Sequence, residues 1–305
     1  MREEIYHKFC EILGSGRVRS EEPMAEHTTF RIGGPADYYL CPESGAEICR
    51  ILEVCREEGL PWFILGNGSN LLVSDRGYRG AVIQIYKNLC GCSVEGCCLR
   101  VKAGTLLSKA AAEALKNGLT GLEFASGIPG TMGGAVMMNA GAYGGEMKQV
   151  LKRAVVLTPE GEELSLEAEE LELGYRISIV KKKGYIVLEA ELELKEGNRE
   201  EIRACMEDLK ERRVSKQPLE YPSAGSTFKR PEGYFAGKLI MDAGLRGYRV
   251  GGAQISEKHC GFVINAGGAT AGDVHRLIRD VQEKVKARFG VELEPEVRFL
   301  GEFGE

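Results

Sequence analysis

The stretch that decides the fold is GLEFASGIPGTMGGAVMMNAGAYGGE, residues Gly121 to Glu146. Glycine lets backbone N–H groups approach a ligand closely or converge on an anion. A second glycine-rich stretch, LGNGSNLLVSD, runs from Leu65 to Asp75. It starts at the end of WFIL, which is predicted to be a buried strand. A tight turn is the simpler interpretation of any single glycine. Two long loops of this kind inside a compact domain favour a ligand-binding role.

Neither loop carries a common nucleotide-binding motif. The chain has no G-x-x-x-x-G-K-[ST] sequence, and Gly66-Asn67-Gly68 lacks the third glycine of a dinucleotide-binding turn. A dinucleotide bound at these loops would therefore require a different fold.

The elements around the loops predict mixed α and β structure. Ser44 opens a capping box, so a helix is predicted over 44–58, and a second helix is predicted over 105–117. Paired strands are predicted over 150–194, with a turn at Pro159-Glu160-Gly161.

Two further helices are predicted toward the C-terminus. One is charged and capped by Asn198, and Pro218 marks a boundary after it. The other, AGDVHRLIRDVQEKVKARFG, repeats apolar residues at helical spacing, so that face belongs to a core. The order of elements predicts an α+β architecture in three units.

Composition excludes several classes of protein. A share of 43% hydrophobic and 28% charged residues is ordinary for a soluble globular protein. A net charge of -5 argues against a nucleic-acid surface, and Lys181-Lys182-Lys183 is interpreted as a solvated turn. The N-terminal sequence MREEIYHKFCEILG mixes charges with an apolar stripe, which predicts a short surface helix of a cytoplasmic protein with no membrane partner.

The ten cysteines are predicted to be reduced thiols. The stretch LCGCSVEGCCL (Leu89 to Leu99) lacks the paired C-x-x-C spacing of a zinc site, although a metal-binding role stays an alternative. Two strands joined at Glu95-Gly96, with cysteines packed on a sheet, explain the stretch better. No metal site is predicted.

Seven motifs in order carry a family resemblance: TTFRIGGPADYYL, LGNGSNLLV, GIPGTMGGAVMMNAGAYGGE, GYRIS, AGSTFKRP, AGKLI and LEPEVRFLG. From about Thr28 to Gly301 the chain resembles the UDP-N-acetylenolpyruvoylglucosamine reductases, flavoenzymes of peptidoglycan precursor synthesis. The chain is similar to a compact subtype, because only SIVKKKG separates Ile177 from Tyr185, where other members insert a tyrosine-bearing loop.

The resemblance implies an α+β fold. It consists of a two-part FAD-binding region of the vanillyl-alcohol-oxidase (PCMH) type and a C-terminal α+β domain that binds the UDP-sugar substrate. The expected boundaries are 1–80 for the first FAD-binding subdomain, 81–212 for the second and 213–295 for the substrate domain. Residues 296–305 are a candidate for return to the first subdomain.

The resemblance also implies cofactors. FAD is expected to bind without a covalent bond, because neither glycine loop contains the His or Cys that tethers flavin in some relatives. NADPH is the expected hydride donor. The residues expected to bind FAD are Arg31, Gly66, Asn67, Gly68, Ser69, Asn70, Gly127, Ile128, Pro129, Gly130, Thr131, Gly133, Gly134, Asn139, Ala140 and Gly141.

Three residues match the family's catalytic positions. Ser226 matches the proton donor, Arg176 matches the arginine that stabilises negative charge, and Glu296 matches a carboxylate of the same pocket. The implied reaction adds a hydride to the β-carbon of an enolpyruvyl ether and a proton to its α-carbon. The residues expected to bind the UDP-sugar are Tyr175, Lys229, Arg230 and Lys238.

Two rival functions remain at this level. One is a flavin oxidase of the same fold with another substrate, and the other is a nucleotide-sugar-binding protein without flavin. The expected oligomeric state is a monomer.

Overall fold

The structure of the protein, a computed structural model, describes residues 2–304. The helices are α1 Arg2–Leu13, α2 Gly45–Glu57, α3 Leu107–Lys116, α4 Met132–Met138, α5 Ile179–Lys183, α6 Arg199–Lys216, α7 Ala236–Asp242 and α8 Ala271–Phe289. The strands are β1 Val18–Pro23, β2 Pro35–Leu40, β3 Trp62–Leu65, β4 Leu71–Val73, β5 Tyr78–Gln84, β6 Cys92–Glu95, β7 Cys98–Lys102, β8 Leu119–Thr120, β9 Gly141–Ala142, β10 Gly145–Glu146, β11 Leu151–Leu157, β12 Glu163–Glu167, β13 Ile186–Glu193, β14 Lys195–Glu196, β15 Ser223–Ser226, β16 Arg249–Val250, β17 Ala253–Ile255, β18 Phe262–Asn265 and β19 Arg298–Leu300.

The chain divides into two compact units. Unit 1 comprises Met1–Ser20, Tyr38–Asn67 and Gly80–Arg213, and unit 2 comprises Glu21–Asp37, Gly68–Arg79 and Val214–Glu305. The finer division at 80, 212 and 295 stays a prediction. Among residues 2–304, no helix combines the length and the apolar character needed to cross a bilayer.

Unit 1 is built on a five-stranded antiparallel sheet of order β12-β11-β13-β7-β6. The predicted turn at Pro159–Gly161 joins β11 to β12 and is confirmed. The cysteine-rich stretch forms the predicted hairpin, in which Glu95 of β6 pairs with Cys98 of β7. Burial raises the pKa of Cys92 to about 11, so this thiol stays protonated at neutral pH and behaves as a small apolar side chain.

The predicted helices of unit 1 are confirmed with shifted ends. Ser44 accepts a hydrogen bond from the Glu47 backbone N–H and begins α2. The helix predicted from Thr105 begins two residues later, at Leu107, because the Thr105 hydroxyl accepts a hydrogen bond from the Gly91 N–H and lies in the preceding loop. Helix α1 buries Ile5 and Phe9, so its apolar stripe is part of the core.

One local prediction was wrong. Lys181-Lys182-Lys183 is the last part of helix α5, not a solvated turn. The Ser178 side chain caps this helix by accepting a hydrogen bond from the Lys181 N–H, and Gly184 ends it in the left-handed region at φ 69°. A serine cap and a following glycine are start and stop signals that outweigh three consecutive charges.

Unit 2 packs helices against a four-stranded sheet of order β15-β18-β17-β16. Helix α8 confirms the predicted amphipathic face; its buried residues are Ala271, Val274, Leu277, Ile278, Val281 and Val285. A parallel pair, β4 with β19, places residues 71–73 of the second glycine-rich stretch beside residues 298–300. This pairing brings the segment before β19, which contains Glu296, next to Asn70, the residue before β4.

Candidate functional site

The two glycine-rich loops meet within unit 1. The Asn67 side chain donates a hydrogen bond to the Pro129 carbonyl oxygen at 2.9 Å. A Cβ added to Gly66 would lie 2.5 Å from Oγ1 of Thr131, which is closer than any real Cβ contact. Glycine at position 66 is therefore required by this close approach, and the loops form one continuous backbone surface.

Thr131 carries an unsatisfied polar atom on that surface. Its side chain is 1% exposed, and among residues 2–304 its hydroxyl has no hydrogen-bond partner. Thr131 precedes helix α4, but its side chain does not cap the helix. A buried hydroxyl without a partner costs about 1–3 kcal/mol. The position and chemistry of this hydroxyl suit a ligand with hydrogen-bonding groups between the glycine loops.

Arg213 is a candidate ligand contact that the sequence did not reveal. Its Nε atom lies 3.1 Å from the position that a Cβ on Gly127 would occupy, so the guanidinium covers the start of the first glycine loop. Burial lowers its pKa, and the Tyr143 hydroxyl, its hydrogen-bond partner, opposes this shift. The neighbouring Arg212 instead forms an exposed ion pair with Asp208. Arg212 and Arg213 belong to the same charged helix, and nothing in the sequence distinguishes them. In the structure they differ in burial.

Asn139 lies at the end of α4 in the left-handed region at φ 42°. Its side-chain amide donates to the Gly174 carbonyl oxygen at 3.1 Å and to Glu146 Oε2 at 3.0 Å. Its Oδ1 accepts a hydrogen bond from the Lys148 N–H at 2.9 Å. The Asn139 side chain therefore joins the end of α4 to Gly174, Glu146 and Lys148. The predicted contact of Asn139 with FAD stays a prediction, and it would have to be made by the backbone of Asn139.

The Asn139 contact to Gly174 fixes the turn that carries Arg176. Gly174 and Ile177 pair as an antiparallel bridge, so Tyr175 and Arg176 form the tip of a tight turn. Arg176 has a φ of 57°, and Nη1 of its guanidinium lies 3.5 Å from the Asn139 carbonyl oxygen. Non-glycine residues in this region carry backbone strain, which is concentrated at functional sites. The structure thus brings together three predicted site residues: Asn139, Tyr175 and Arg176.

Ser226 and Glu296 come together in unit 2. Ser226 is the exposed last residue of β15, and the next residue, Thr227, is buried. The Glu296 N–H donates a hydrogen bond to the Thr227 carbonyl oxygen at 2.8 Å. Two residues that are 70 positions apart in the sequence therefore lie on adjacent backbone segments.

The predicted substrate residues of unit 2 are basic and differ in their partners. Lys229 forms an ion pair with Glu294. Arg230 lies over the Phe235 ring, with Cζ 3.9 Å from the ring centroid, and it belongs to a loop. Lys238 pairs with Asp242 at 2.8 Å on helix α7. Exposed aromatic residues near these cations, Tyr234 and Phe235, offer flat surfaces for a base or sugar.

Arg31 is the remaining predicted cofactor residue with a distinctive backbone. It is exposed and has a φ of 54°, and its N–H donates to the Thr28 carbonyl oxygen at 3.1 Å.

Among residues 2–304, one group has metal-ligand chemistry: Glu22, Glu26 and His27 hold their ligand atoms within 4.8 Å of one another. His27 Nε2 and Glu22 Oε1 already share a hydrogen bond of 2.8 Å.

Comparison with known proteins first defines the class. A profile described as an FAD-binding domain matches residues 36–167, and a profile described as the C-terminal domain of UDP-N-acetylenolpyruvoylglucosamine reductase matches residues 217–300. The chain is therefore a flavoprotein oxidoreductase, and the predicted α+β class with an FAD-binding region and a C-terminal domain is confirmed.

Full-length relatives define the family. The UDP-N-acetylenolpyruvoylglucosamine reductase of Lachnoclostridium phytofermentans is 56% identical over 99% of both chains, and that of Agathobacter rectalis is 57% identical over 99% of this chain and 100% of its own. A crystal structure of the Thermus caldophilus enzyme aligns with a TM-score of 0.81 at 40% identity, over 93% of this chain and 99% of that one. The chain belongs to the UDP-N-acetylenolpyruvoylglucosamine reductase family.

Proposed function

We propose that this protein reduces the enolpyruvyl group of UDP-N-acetylglucosamine enolpyruvate to give UDP-N-acetylmuramate, with NADPH as the source of the hydride. Membership of the family supports the reaction. The observation that carries the proposal is the backbone hydrogen bond between Glu296 and Thr227, which joins the segment of Glu296 to the residue that follows Ser226, the predicted proton donor.

The proposed role of Ser226 is to give its hydroxyl proton to the α-carbon of the substrate. Hydride addition to the β-carbon leaves a carbanion beside a carboxylate, and such a carbon is basic enough to accept a proton from a well-positioned hydroxyl. Ser226 is exposed at a strand end, so its hydroxyl is accessible to a ligand. Solvent then returns a proton to the serine.

Arg176 is proposed to bind the substrate carboxylate and the charge that develops next to it. A guanidinium offers two parallel donors that match the two oxygens of a carboxylate. A lysine ammonium group cannot form this paired contact. The left-handed backbone of Arg176 determines where its side chain begins, and Nη1 at the far end lies 3.5 Å from the Asn139 carbonyl oxygen. Glu296 is proposed to orient the substrate or Ser226.

FAD fits the residues of unit 1. The close approach at Gly66, the unsatisfied Thr131 hydroxyl and the half-buried Arg213 together suit a ligand with a diphosphate and a polar chain. When bound, FAD would supply hydride transfer from NADPH to the substrate. The backbone of residues 66–70 and 127–134 is proposed to hold it without a covalent bond.

The UDP-sugar is proposed to contact Tyr175, Lys229, Arg230 and Lys238. The ring of Tyr175 is 55% exposed, and the Arg176 guanidinium lies 5.2 Å from its centroid. We further propose that the protein acts in the cytoplasm, because UDP-sugars and NADPH are cytoplasmic metabolites. We also propose that it is a monomer without a nucleic-acid or membrane partner; its net charge of -5 argues against a nucleic-acid surface.

The decisive experiment follows the flavin spectrum without oxygen. NADPH should bleach the yellow chromophore of the purified protein, and enolpyruvyl UDP-sugar should restore it in one turnover. Reoxidation by oxygen together with no response to the UDP-sugar would instead establish a flavin oxidase. Protein that cannot bind added FAD would refute the flavoenzyme.

A further inference from the structure

The segment Gly68–Asn70, at the end of the second glycine-rich loop, contacts the segment that contains Glu296. The Asn70 side-chain amide donates a hydrogen bond to the Glu296 carbonyl oxygen at 3.1 Å. The Asn70 carbonyl oxygen accepts one from the Arg298 N–H at 3.1 Å. Asn70 therefore binds the backbone on Glu296 itself and two residues beyond it.

The other side of Glu296 is fixed by Thr227. The Thr227 carbonyl oxygen accepts the Glu296 N–H, its own N–H donates to Gly261 at 2.9 Å, and its hydroxyl accepts the Val263 N–H at 3.0 Å. Because Thr227 is 3% exposed, these bonds are shielded from water. Glu296 is thus held between Thr227 and Asn70 through both of its backbone polar groups.

The same segment is linked to the start of β15. The Gly68 carbonyl oxygen accepts a hydrogen bond from the Thr29 N–H at 3.2 Å, and the Thr29 hydroxyl donates to the Ser223 carbonyl oxygen at 2.7 Å. A Cβ on Gly68 would lie 2.2 Å from the His27 carbonyl oxygen, so the approach requires glycine. Both ends of the strand that carries Ser226 are therefore connected to Gly68–Asn70.

We propose that Asn70 is a positioning residue for proton delivery. Its side-chain amide donates to the Glu296 backbone carbonyl oxygen instead of contacting FAD, so it fixes the point of the backbone from which the Glu296 carboxylate extends, relative to Ser226. Gly68–Asn70 belongs to a loop that is proposed to bind FAD. The conformation of this loop therefore also determines the positions of Glu296 and Ser226. This inference rests on the proposed function.

The test compares the two half-reactions in two variants. Asn70→Asp keeps the size of the side chain and removes the donor, and Asn70→Ser is smaller and uncharged. Both keep the backbone bond to Arg298. A displacement of about 1 Å costs up to roughly 100-fold in rate, so flavin reoxidation by enolpyruvyl UDP-sugar should slow by about 10- to 100-fold in both variants. Flavin reduction by NADPH should change far less.

Two further measurements separate positioning from general damage. The solvent deuterium isotope effect on reoxidation should increase, because proton delivery becomes slower. Asn265→Asp is the matched control: its side-chain amide also donates to a backbone carbonyl in unit 2, that of Phe30, with no bond to Glu296. The Asn265→Asp variant should have the same ratio of the flavin reduction rate to the flavin reoxidation rate as wild type.

The outcomes distinguish the inference from the function on which it rests. If wild-type flavin is not reduced by NADPH or not reoxidised by the UDP-sugar, the proposed function is wrong. If wild type performs both steps and the Asn70 variants slow both equally, slow neither, or lose FAD instead, the positioning role is refuted.

Discussion

Glu191 is the buried centre of a charge cluster on the large sheet of unit 1, and its replacement by Gln gives a quantitative prediction. The Glu191 side chain is 8% exposed and accepts hydrogen bonds or ion pairs from Arg153 at 2.6 Å, Lys152 at 3.2 Å and Arg100 at 3.2 Å. The Arg153 hydrogen bond is the largest influence lowering the pKa of Glu191, which falls from 4.5 to about 2 although burial opposes the change. The variant Glu191→Gln keeps the shape and removes the charge.

The magnitude follows from the two pKa values. Their difference corresponds to at most about 3–4 kcal/mol, because one pKa unit is worth about 1.4 kcal/mol. The three cations are 38% to 48% exposed, so solvent screening reduces this contribution to about 1–2 kcal/mol. Glu191→Gln should lower the free energy of unfolding of unit 1 by that amount at pH 7.

The sign of the pH dependence is fixed by the lowered pKa. A carboxyl group with a depressed pKa in the folded state stabilises the protein fully above its unfolded pKa of 4.5, and the contribution is lost as the pH falls toward 2. The difference between wild type and Glu191→Gln should therefore shrink as the pH falls below 4.5 and should be less than half its value at pH 7 by pH 3.

The assay is urea unfolding followed by the fluorescence of the single tryptophan, Trp62, which lies in β3 of unit 1. Glu193→Gln is the control, because Glu193 is an exposed residue on the same strand. Equal destabilisation by the two substitutions, or a difference from wild type that does not change between pH 7 and pH 3, would contradict this account of the cluster.

Three further predictions concern the site. Ser226→Ala should leave flavin reduction by NADPH within about twofold and slow reoxidation by the UDP-sugar at least about 100-fold, since the hydroxyl acts only after hydride transfer; stopped-flow absorbance that shows both steps slowed equally would reject this role. Arg176→Lys should lower kcat by about 100- to 1,000-fold, the range for loss of a donor to developing negative charge, and unchanged steady-state kinetics would exclude it as the main stabiliser. Gly66→Ala should weaken FAD binding to the apoprotein at least about tenfold, because a Cβ would lie 2.5 Å from Oγ1 of Thr131; the control Gly16→Ala, where no atom lies within 4 Å, should titrate like wild type in flavin fluorescence quenching.

Local signals in the sequence were sufficient for most secondary structure and for the list of candidate residues. The cap at Ser44, the turn at Pro159–Gly161 and the apolar spacing of α8 each depend on residues within about one or two helical turns of one another. The same applies to the motif around Ser226, which is recognised as a string. Such patterns are visible without knowledge of the fold because their physical causes are local.

Long-range contacts required the tertiary structure. Arg212 and Arg213 look alike in the sequence, and only the packing of Arg213 against Gly127 shields it in part from solvent and distinguishes it from the exposed Arg212. In the sequence, Asn70 is a polar residue of a glycine-rich loop with no visible partner. The pairing of β4 with β19 places its amide within hydrogen-bond distance of the carbonyl oxygen of Glu296, 226 positions away. The sequence by itself determined where the glycine-rich loops and most helices and turns lie, and it supplied the candidate side chains. Burial and hydrogen-bond partners depend on segments far apart in the chain, so they were decided only when the chain folded.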